Sequence, residues 1–243
     1  KSAVLIAVPL AMILQQPDLK NTITIAIIFC ILLYIAGLSY KIIGGALLIV
    51  IPLAVVFLFI VVQPDQKLIK SYQRNRIMAF LNSEDDEYSD AVNQQENSVM
   101  AIGSGQLTGK GLNNNEVASA NKGNFVSENQ TDFIFSVAGE ELGFIGCVAI
   151  LLLLLLIIFE CIRTSLRAKD TAGKIICCGV ASIVAVQGFI NVAVVTKIMP
   201  NTGTPLPFVS YGLTSMVSLY IGMGLVLNVG LQRYRTYREV EKS

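Results

Sequence analysis

The sequence has no histidine and no tryptophan in its 243 residues. Without histidine, the chain has no serine–histidine or cysteine–histidine nucleophile pair and no imidazole ligand for zinc. Charged residues make up only 14% of the chain, against about 25% in an ordinary soluble domain. Hydrophobic residues make up 53%. This composition therefore argues against a water-soluble globular protein.

An excess of charge of either sign is also missing, since 18 Lys and Arg face 17 Asp and Glu for a net charge of +1. This balance excludes a generally basic nucleic-acid binder, and we expect no nucleic-acid partner. The five cysteines lie in or beside apolar runs, where they are interpreted as small buried hydrophobes rather than a disulfide framework. They are Cys30, Cys147, Cys161, Cys177 and Cys178.

Long apolar runs dominate what is present. A membrane-spanning helix needs about 20 mostly apolar residues, and six runs reach or approach that length. They are Ser2 to Leu14, Thr22 to Leu38, Ile42 to Val62, Phe133 to Ile162, Ile175 to Ile198 and Tyr211 to Leu231. The pattern predicts an all-α protein, a polytopic transmembrane helix bundle of about six spans. Because the chain begins at Lys1 inside an apolar pattern, we expect a piece of a longer protein.

The distribution of Lys and Arg predicts the orientation of these spans. With Lys1 inside, the inner connections hold most of the cations, and the short outer connections hold only Lys20 and Lys197. The prediction is three spans in residues 1–63, one long extracellular loop in 64–132 with a glycine-rich segment, and three further spans in 133–243 with a basic cytoplasmic tail. The inner cations are Lys1, Lys41, Arg163, Arg167, Lys169, Lys174, Arg233, Arg235, Arg238 and Lys242.

The predicted outer loop contains the segment AIGSGQLTGKGL at 101–112. Its evenly spaced glycines permit tight turns and close approach to another backbone or to a ligand. The spacing is not that of a P-loop, so phosphate binding by this segment is only one reading. Ser104, Gly105 and Lys110 are its candidate substrate-binding residues.

Carboxylates gather where the predicted fourth span begins, in TDFIFSVAGEELGF at 131–144. Asp132 lies at the outer mouth, Glu140 lies two turns further in, and Glu128 lies just before the span. Ionisable groups at membrane depth are costly and are functional candidates. They predict a general base, a cation site or both. The alternative is helix-start charge, with Thr131 or Asp132 as a simple cap.

Three further polar features map to the same outer face. Gln187 and Asn191 lie one turn apart in the fifth span and are expected to face protein or a wet cavity, or simply to hydrogen-bond between helices. The segment MPNTGTPLPFVSYG at 199–212, with Pro207 and Ser210, cannot be regular helix and must line protein or water. Asp18 follows a proline at the outer end of the first span. A site at the outer membrane surface is predicted.

Four of these segments resemble the RodA/FtsW/SpoVE family of bacterial shape, elongation, division and sporulation proteins. They occur in the order and spacing of that family, and the resemblance covers essentially the whole chain. The segments are QQPDL at 15–19, AIGSGQLTGKGL at 101–112, TDFIFSVAGEELGFIG at 131–146 and TGTPLPFVSYG at 202–212. The PLPFVSYG form is more similar to RodA than to the division member. The chain resembles the last six of the family's ten spans.

The resemblance implies a peptidoglycan glycosyltransferase that polymerises lipid II, a disaccharide-pentapeptide on undecaprenyl diphosphate. It implies action at the outer face of the bacterial cytoplasmic membrane, beside a class B penicillin-binding protein that crosslinks the glycan. The family's essential acid maps to Asp132, and an acid of its EE pair maps to Glu140. The candidate substrate-binding residues are Glu128, Glu140, Lys110, Ser104, Gly105, Asp18, Gln187, Asn191, Pro207 and Ser210.

The chain departs from the family pattern at a few positions. Gln130 stands where the family usually has histidine, Ser127 replaces a proline, Lys20 replaces a glycine, and Leu213 stands in the SYGGSS segment. The acid is retained, so these changes concern substrate contacts more than chemistry.

Glycosyl transfer needs a base for the acceptor hydroxyl, a role assigned to Asp132, and a partner for the leaving diphosphate. Lys110, the amides of the glycine run, or Mg²⁺ or Mn²⁺ held by Asp132, Glu128 and Glu140 are the candidates, and no organic cofactor is expected. A lipid II flippase and a non-catalytic scaffold for a transpeptidase are the rival functions. The crowding of polar groups at the outer face, rather than the midplane, favours the enzyme.

Overall fold

The structure of the protein is a computed structural model that describes residues 19–42, 44, 45, 48, 52, 59, 77, 78, 80, 81, 89–112 and 130–240. The predicted span at 2–14 lies outside the described residues, as does most of the predicted span at 42–62. The chain divides into two compact units, residues 1–89 and 90–243.

Five helices have both ends within the described residues. They are α1 (Leu19–Ile35), α2 (Ser89–Ser104), α3 (Ile134–Leu166), α4 (Thr171–Val195) and α5 (Leu213–Val240). The described residues contain no β-strand, which confirms the all-α prediction. Three segments are long and apolar enough to cross a membrane: Ile134–Leu166, Thr171–Val195 and Leu213–Gln232. They match the last three predicted spans to within a few residues.

In the first unit, α1 corresponds to the predicted second span but ends three residues earlier. Gly37 takes a φ of 98°, and its amide donates to Tyr34 O at 3.0 Å while Leu38 N donates to Leu33 O at 3.0 Å. These two hydrogen bonds are the Schellman pattern that closes a helix on a left-handed residue. The glycine therefore sets the end of α1 at Ile35.

In the second unit, α4 is the central helix. It buries 44% of its most apolar 18-residue stretch, against 17% for α3 and for α5. It runs antiparallel to α3, since Ser165 near the end of α3 donates to Lys174 O near the start of α4. The outward side of α3 carries long apolar side chains such as Leu153 and Phe159, about 60% exposed. Such a face suits contact with lipid.

The turn between α3 and α4 shows why α4 begins before the predicted start at 175. Asp170 is the N-cap residue, and its carboxylate accepts a hydrogen bond from Gly173 N at 3.1 Å. An N-cap carboxylate satisfies an otherwise unpaired amide of the first turn. The helix therefore begins at Thr171, four residues before the apolar run.

One helix lies where the sequence predicted only loop. Helix α2 occupies Ser89–Ser104, inside the predicted loop of residues 64–132. Its buried positions 92, 95, 98 and 101 follow a helical period, yet two of them are Gln95 and Ser98. Because these polar side chains interrupt the apolar pattern, the hydrophobic periodicity that signals a helix is hidden.

Candidate functional site

Helix α3 is broken near its N-terminal end, at Gly143. This residue has a φ of 67° and a ψ of −167°, so the amides of the next two residues cannot reach the carbonyls four residues before them. Phe144 N donates instead to Gln106 O at 2.8 Å, and Ile145 N donates to Leu107 O at 3.1 Å. The glycine-rich segment thus supplies the acceptors that the helix has lost.

The carbonyls released by the break are satisfied by the same segment. Glu140 O accepts from Lys110 N at 2.9 Å, and Glu141 O accepts from Gly111 N at 3.1 Å. Four hydrogen bonds between the two segments therefore replace two helical ones. Irregular backbone near membrane depth is tolerated where its polar groups are paired in this way.

Two glycine pairs, each four residues apart, allow the segments to approach this closely. A Cβ atom on Gly105 would overlap the carbonyl of Gly139, and a Cβ on Gly109 would overlap the carbonyl of Glu141. A Cβ on Gly143 would overlap Gly109 N, and one on Gly139 would lie 2.9 Å from Ile102 Cγ1. We call these four glycines and their four cross-segment hydrogen bonds the glycine junction.

The predicted close approach to another backbone is therefore what the glycine run makes. The glycine-rich segment that contains Gly105 and Gly109 was predicted from the sequence, but their partners on α3 were not. The spacing of Gly139 and Gly143, four residues apart like the first pair, was the available signal.

A buried ion pair accompanies the glycine junction. Lys110 Nζ lies 3.0 Å from Glu140 Oε1, with the Glu140 side chain 3% exposed and the Lys110 side chain 29% exposed. The ammonium group of Lys110 offsets part of the cost of burying the Glu140 carboxyl group. Ser104 makes a local contact, its hydroxyl donating to Ala101 O at 2.8 Å.

A second arrangement holds the segment that carries Asp132. Three consecutive carbonyls in this segment each accept a hydrogen bond from outside it. Gln130 O accepts from Tyr211 N at 2.9 Å, Thr131 O accepts from Ser210 Oγ at 2.5 Å, and Asp132 O accepts from Asn191 Nδ2 at 2.7 Å. We call these three hydrogen bonds the carbonyl clamp.

The donors of the carbonyl clamp are themselves held in place. Asn191 Nδ2 also donates to Thr204 O at 2.7 Å, and Ser210 Oγ accepts from Leu206 N at 2.7 Å. Asn191 is 1% exposed and Ser210 is 3% exposed, and Pro207 is also buried. The 199–212 segment is non-helical and packed against protein, as predicted. Asn191 faces the interior as predicted, whereas Gln187 is only half-buried.

Side chains of helix α2 form hydrogen bonds with backbone carbonyls at the C-terminal end of α4. Gln95 Nε2 donates to Val194 O and to Met199 O, both at 2.9 Å. Ser98 Oγ donates to Val195 O at 2.9 Å and lies 2.6 Å from Ser136 Oγ. The last carbonyls of a helix have no intrahelical partner, so these side chains act as C-terminal caps. These caps were not predicted from the sequence, because residues 89–104 were predicted to be part of a loop.

The boundary of α3 bears on the capping alternative for Asp132. The N-cap residue is Phe133, which is fully buried and makes no side-chain capping hydrogen bond. The helix boundary therefore puts neither Thr131 nor Asp132 in the cap position. The Asp132 residue itself is half-buried.

The predicted metal ligands are only partly described. Glu128 lies outside the described residues, as does the candidate substrate contact Asp18. Among the described side chains, no group of three or more carboxylates and thiols is arranged to hold a metal ion. The described residues alone do not make a cation site, and Mg²⁺ or Mn²⁺ binding stays a prediction.

The chain is similar to proteins of a known family. Residues 1–235 match the FtsW/RodA/SpoVE family, described as a cell cycle protein. The chain is 34% identical over 226 residues to a probable peptidoglycan glycosyltransferase FtsW of Geobacter metallireducens, covering 93% of this chain and 56% of the relative. It is also 34% identical over 230 residues to the peptidoglycan glycosyltransferase MrdB of Escherichia coli K12, covering 95% of this chain and 59% of the relative.

A solved structure agrees with these relatives. The fold matches a chain in a solved structure that concerns the structural coordination of polymerization and crosslinking by a peptidoglycan synthase complex. The TM-score is 0.73 at 25% identity, covering 96% of this chain and 61% of the other. The chain thus spans little more than half the length of the curated relatives it matches. The motifs, the helices and the match over nearly the whole chain together show that it belongs to the FtsW/RodA/SpoVE family.

Proposed function

We propose that the chain is part of a peptidoglycan glycosyltransferase that polymerises lipid II at the outer face of the bacterial cytoplasmic membrane. The family, and relatives named as glycosyltransferases, support the activity. The carbonyl clamp is the observation that carries the proposal, because it fixes the backbone around a candidate base. Asn191 lies four residues before the end of α4, about 6 Å along the helix axis from that end.

The proposed reaction forms one bond and breaks another at the anomeric carbon of the donor sugar. The acceptor hydroxyl oxygen attacks that carbon while its proton passes to the Asp132 carboxylate. The bond between the anomeric carbon and the phosphate oxygen breaks, and the diphosphate leaves with the electron pair. A positioned carboxylate within hydrogen-bond reach is sufficient for the base, so the lack of histidine is no obstacle.

The leaving diphosphate needs a cation or a hydrogen-bond donor to stabilise its charge. Lys110 and the amides of the glycine run were the sequence candidates. Two of those amides, Lys110 N and Gly111 N, donate to carbonyls of α3, and the Lys110 ammonium is paired with Glu140. Pairing with a carboxylate weakens the attraction of this cation for phosphate, so we propose that Lys110 chiefly holds Glu140.

We further propose a crosslinking partner, a location in the bacterial cytoplasmic membrane and a divalent cation. The structural neighbour comes from a peptidoglycan synthase complex, which supports a class B penicillin-binding protein as the crosslinking partner. For the cation, we propose adding EDTA to the polymerisation assay and then restoring Mg²⁺ or Mn²⁺ separately. An unchanged rate in EDTA would remove the metal from the proposal.

Lipid II polymerisation by the full-length protein with its class B partner tests the activity. Asp132→Asn keeps the size of the side chain and removes its basicity, so we expect the rate to fall by about 10²–10⁴-fold. Asp170→Asn is the matched control, because asparagine also caps a helix well and Asp170 caps α4 at its inner end. The control should keep the parental rate.

The rival functions predict other results in the same assay. A flippase has no polymerase activity to lose, and it would move lipid II across vesicle membranes in the absence of glycan synthesis. If the chain is a non-catalytic scaffold, Asp132→Asn should leave the polymerisation rate unchanged. The rate should then fall only when the partner is removed. The match to FtsW and to MrdB at equal identity leaves the division and elongation roles as alternatives.

A further inference from the structure

We infer that Asn191 and Ser210 are positioning residues that aim the Asp132 carboxylate by holding the peptide groups on either side of it. This inference rests on the proposed function of Asp132 as the base. Sequence analysis predicted both residues as substrate contacts, and their hydrogen bonds indicate a different task.

The geometry of the carbonyl clamp explains how the residues act. The Thr131 carbonyl belongs to the peptide group before the Asp132 Cα atom, and the Asp132 carbonyl belongs to the peptide group after it. Peptide groups are planar, so holding the one on each side restricts the backbone dihedrals of Asp132. Ser210 holds the first group at 2.5 Å and Asn191 holds the second at 2.7 Å. The direction of the Cα–Cβ bond is thereby restricted, and the side chain moves chiefly by its own rotation.

The hydrogen-bond inventory shows that these side chains have no donor left for a substrate. The Asn191 amide has two N–H donors, and they serve Asp132 O and Thr204 O. The Ser210 hydroxyl has one donor, which serves Thr131 O. Both side chains are also buried.

The Asn191 amide oxygen adds a second observation. It is the one buried side-chain polar atom of the described residues that has no hydrogen-bond partner. Leaving a buried acceptor unpaired costs stability, and a smaller donor such as serine would avoid that cost. The two N–H donors, delivered together to two separate segments, are what this position supplies in return.

Two elements contribute to the clamp from different parts of the chain. Asn191 projects from α4, whereas Ser210 and Thr204 belong to the 199–212 segment. Because Asn191 also bonds Thr204 O, the helix and the segment are joined at the point where both hold Asp132. A shift of either element would turn the carboxylate away from the acceptor.

Kinetics of the full-length protein with its class B partner test the inference. Asn191→Leu and Ser210→Ala each remove clamp donors. We expect kcat to fall about 10-fold to 10²-fold, since misplacement by about 1 Å has effects of that size, while KM for lipid II stays within about twofold. Ser182→Ala is the matched control, because Ser182 is a buried α4 hydroxyl that bonds only its own helix, at Cys178 O.

A double-variant cycle separates positioning from other roles. If Asn191 and Ser210 act through the Asp132 carboxylate, adding either substitution to Asp132→Asn should lower the residual rate by less than about threefold. Full multiplication of the two losses would overturn the inference, as would a raised KM with unchanged kcat. Failure of both Asn191→Leu and Ser210→Ala to fold would also overturn it, because the residues would then serve the fold. A fully active Asp132→Asn would instead overturn the proposed base.

Discussion

The glycine junction and the carbonyl clamp solve the same problem by opposite means. Each fixes a piece of irregular backbone near the N-terminal end of α3. The glycine junction does so by omitting side chains, so that Gly105 and Gly109 can lie against α3. The carbonyl clamp does so by inserting buried polar side chains, Asn191 and Ser210, between segments. The first is therefore sensitive to added atoms and the second to removed ones.

This difference predicts where each arrangement breaks. A single added methyl group should disrupt the glycine junction, whereas the carbonyl clamp should tolerate changes of volume better than the loss of a donor. The glycine junction is also remote in sequence from the clamp's donors. Its failure should therefore appear first as instability, and failure of the clamp should appear first as lost turnover.

Gly109→Ala is expected to have the largest effect on stability. The residue has a φ of 79°, and its Cβ would overlap the carbonyl of Glu141. Left-handed strain and overpacking together should cost about 2–5 kcal/mol, read as a lower melting temperature in detergent. Gly111→Ala is the matched control, because Gly111 has a φ of 95° with no atom near its Cβ position. The control should show only the strain, about 1–2 kcal/mol. Equal losses in the two variants would show that overlap at the junction is unimportant.

Lys110→Met should have the next largest effect. It removes the ammonium group that lies 3.0 Å from the Glu140 carboxylate, whose side chain is 3% exposed. The expected loss is about 2–3 kcal/mol, below the value for fully buried pairs because Lys110 is itself partly exposed. Adding Glu140→Gln should recover most of this loss, since the buried negative charge is then removed as well.

The same pair of variants tests the alternative role of Lys110. If Lys110→Met melts like the parent protein but raises KM for lipid II, Lys110 is a substrate contact, as the sequence predicted. If stability falls and the double variant restores it, the ion pair serves the glycine junction.

Ser98→Ala should have a smaller effect on stability, at the C-terminal end of α4. It removes the hydroxyl that caps Val195 O and pairs with Ser136. We expect a loss of about 1–2 kcal/mol in thermal or denaturant unfolding. Ser104→Ala, which removes an exposed hydroxyl bonded within its own helix, should change stability by less than about 0.5 kcal/mol. A similar loss in both variants would contradict the capping role.

Among the described residues, the sequence predicted the last three apolar spans well and the polar connections poorly, for a physical reason. Apolar runs such as 133–162 report burial in lipid directly, so α3, α4 and α5 lie within a few residues of the predicted spans. Hydrogen bonds between distant segments leave no period in the sequence. Nothing in the run SDAVNQQENSVMAIGS shows that Gln95 will cap α4, and nothing in GEELG shows that its helix breaks at the last glycine.

For the candidate site, the sequence identified residues but not their tasks. It singled out Asn191 because an amide is costly in hydrocarbon, and Ser210 because it lies in the TGTPLPFVSYG segment; both are buried in polar contacts. Which partner they meet depends on how α4, the 199–212 segment and residues 130–132 come together. That arrangement is a property of the tertiary fold and is not encoded in any one motif.

The smallest predicted effect concerns the end of α4, where Lys197 occupies the position that Gly37 occupies after α1. Its φ is 58°, and Lys197 N donates to Val194 O while Ile198 N donates to Ala193 O, the same Schellman pattern. Lys197→Gly should relieve about 1–2 kcal/mol of left-handed strain. It also removes the half-exposed ion pair with Glu96, at 2.7 Å, worth about 0–1 kcal/mol. The net expectation is a gain of about 1 kcal/mol in stability. Lys197→Ala keeps the strain and loses the ion pair, so it should be slightly less stable than the parent. A glycine variant that melts no higher than the alanine variant would show that the left-handed backbone at position 197 carries no strain for glycine to relieve.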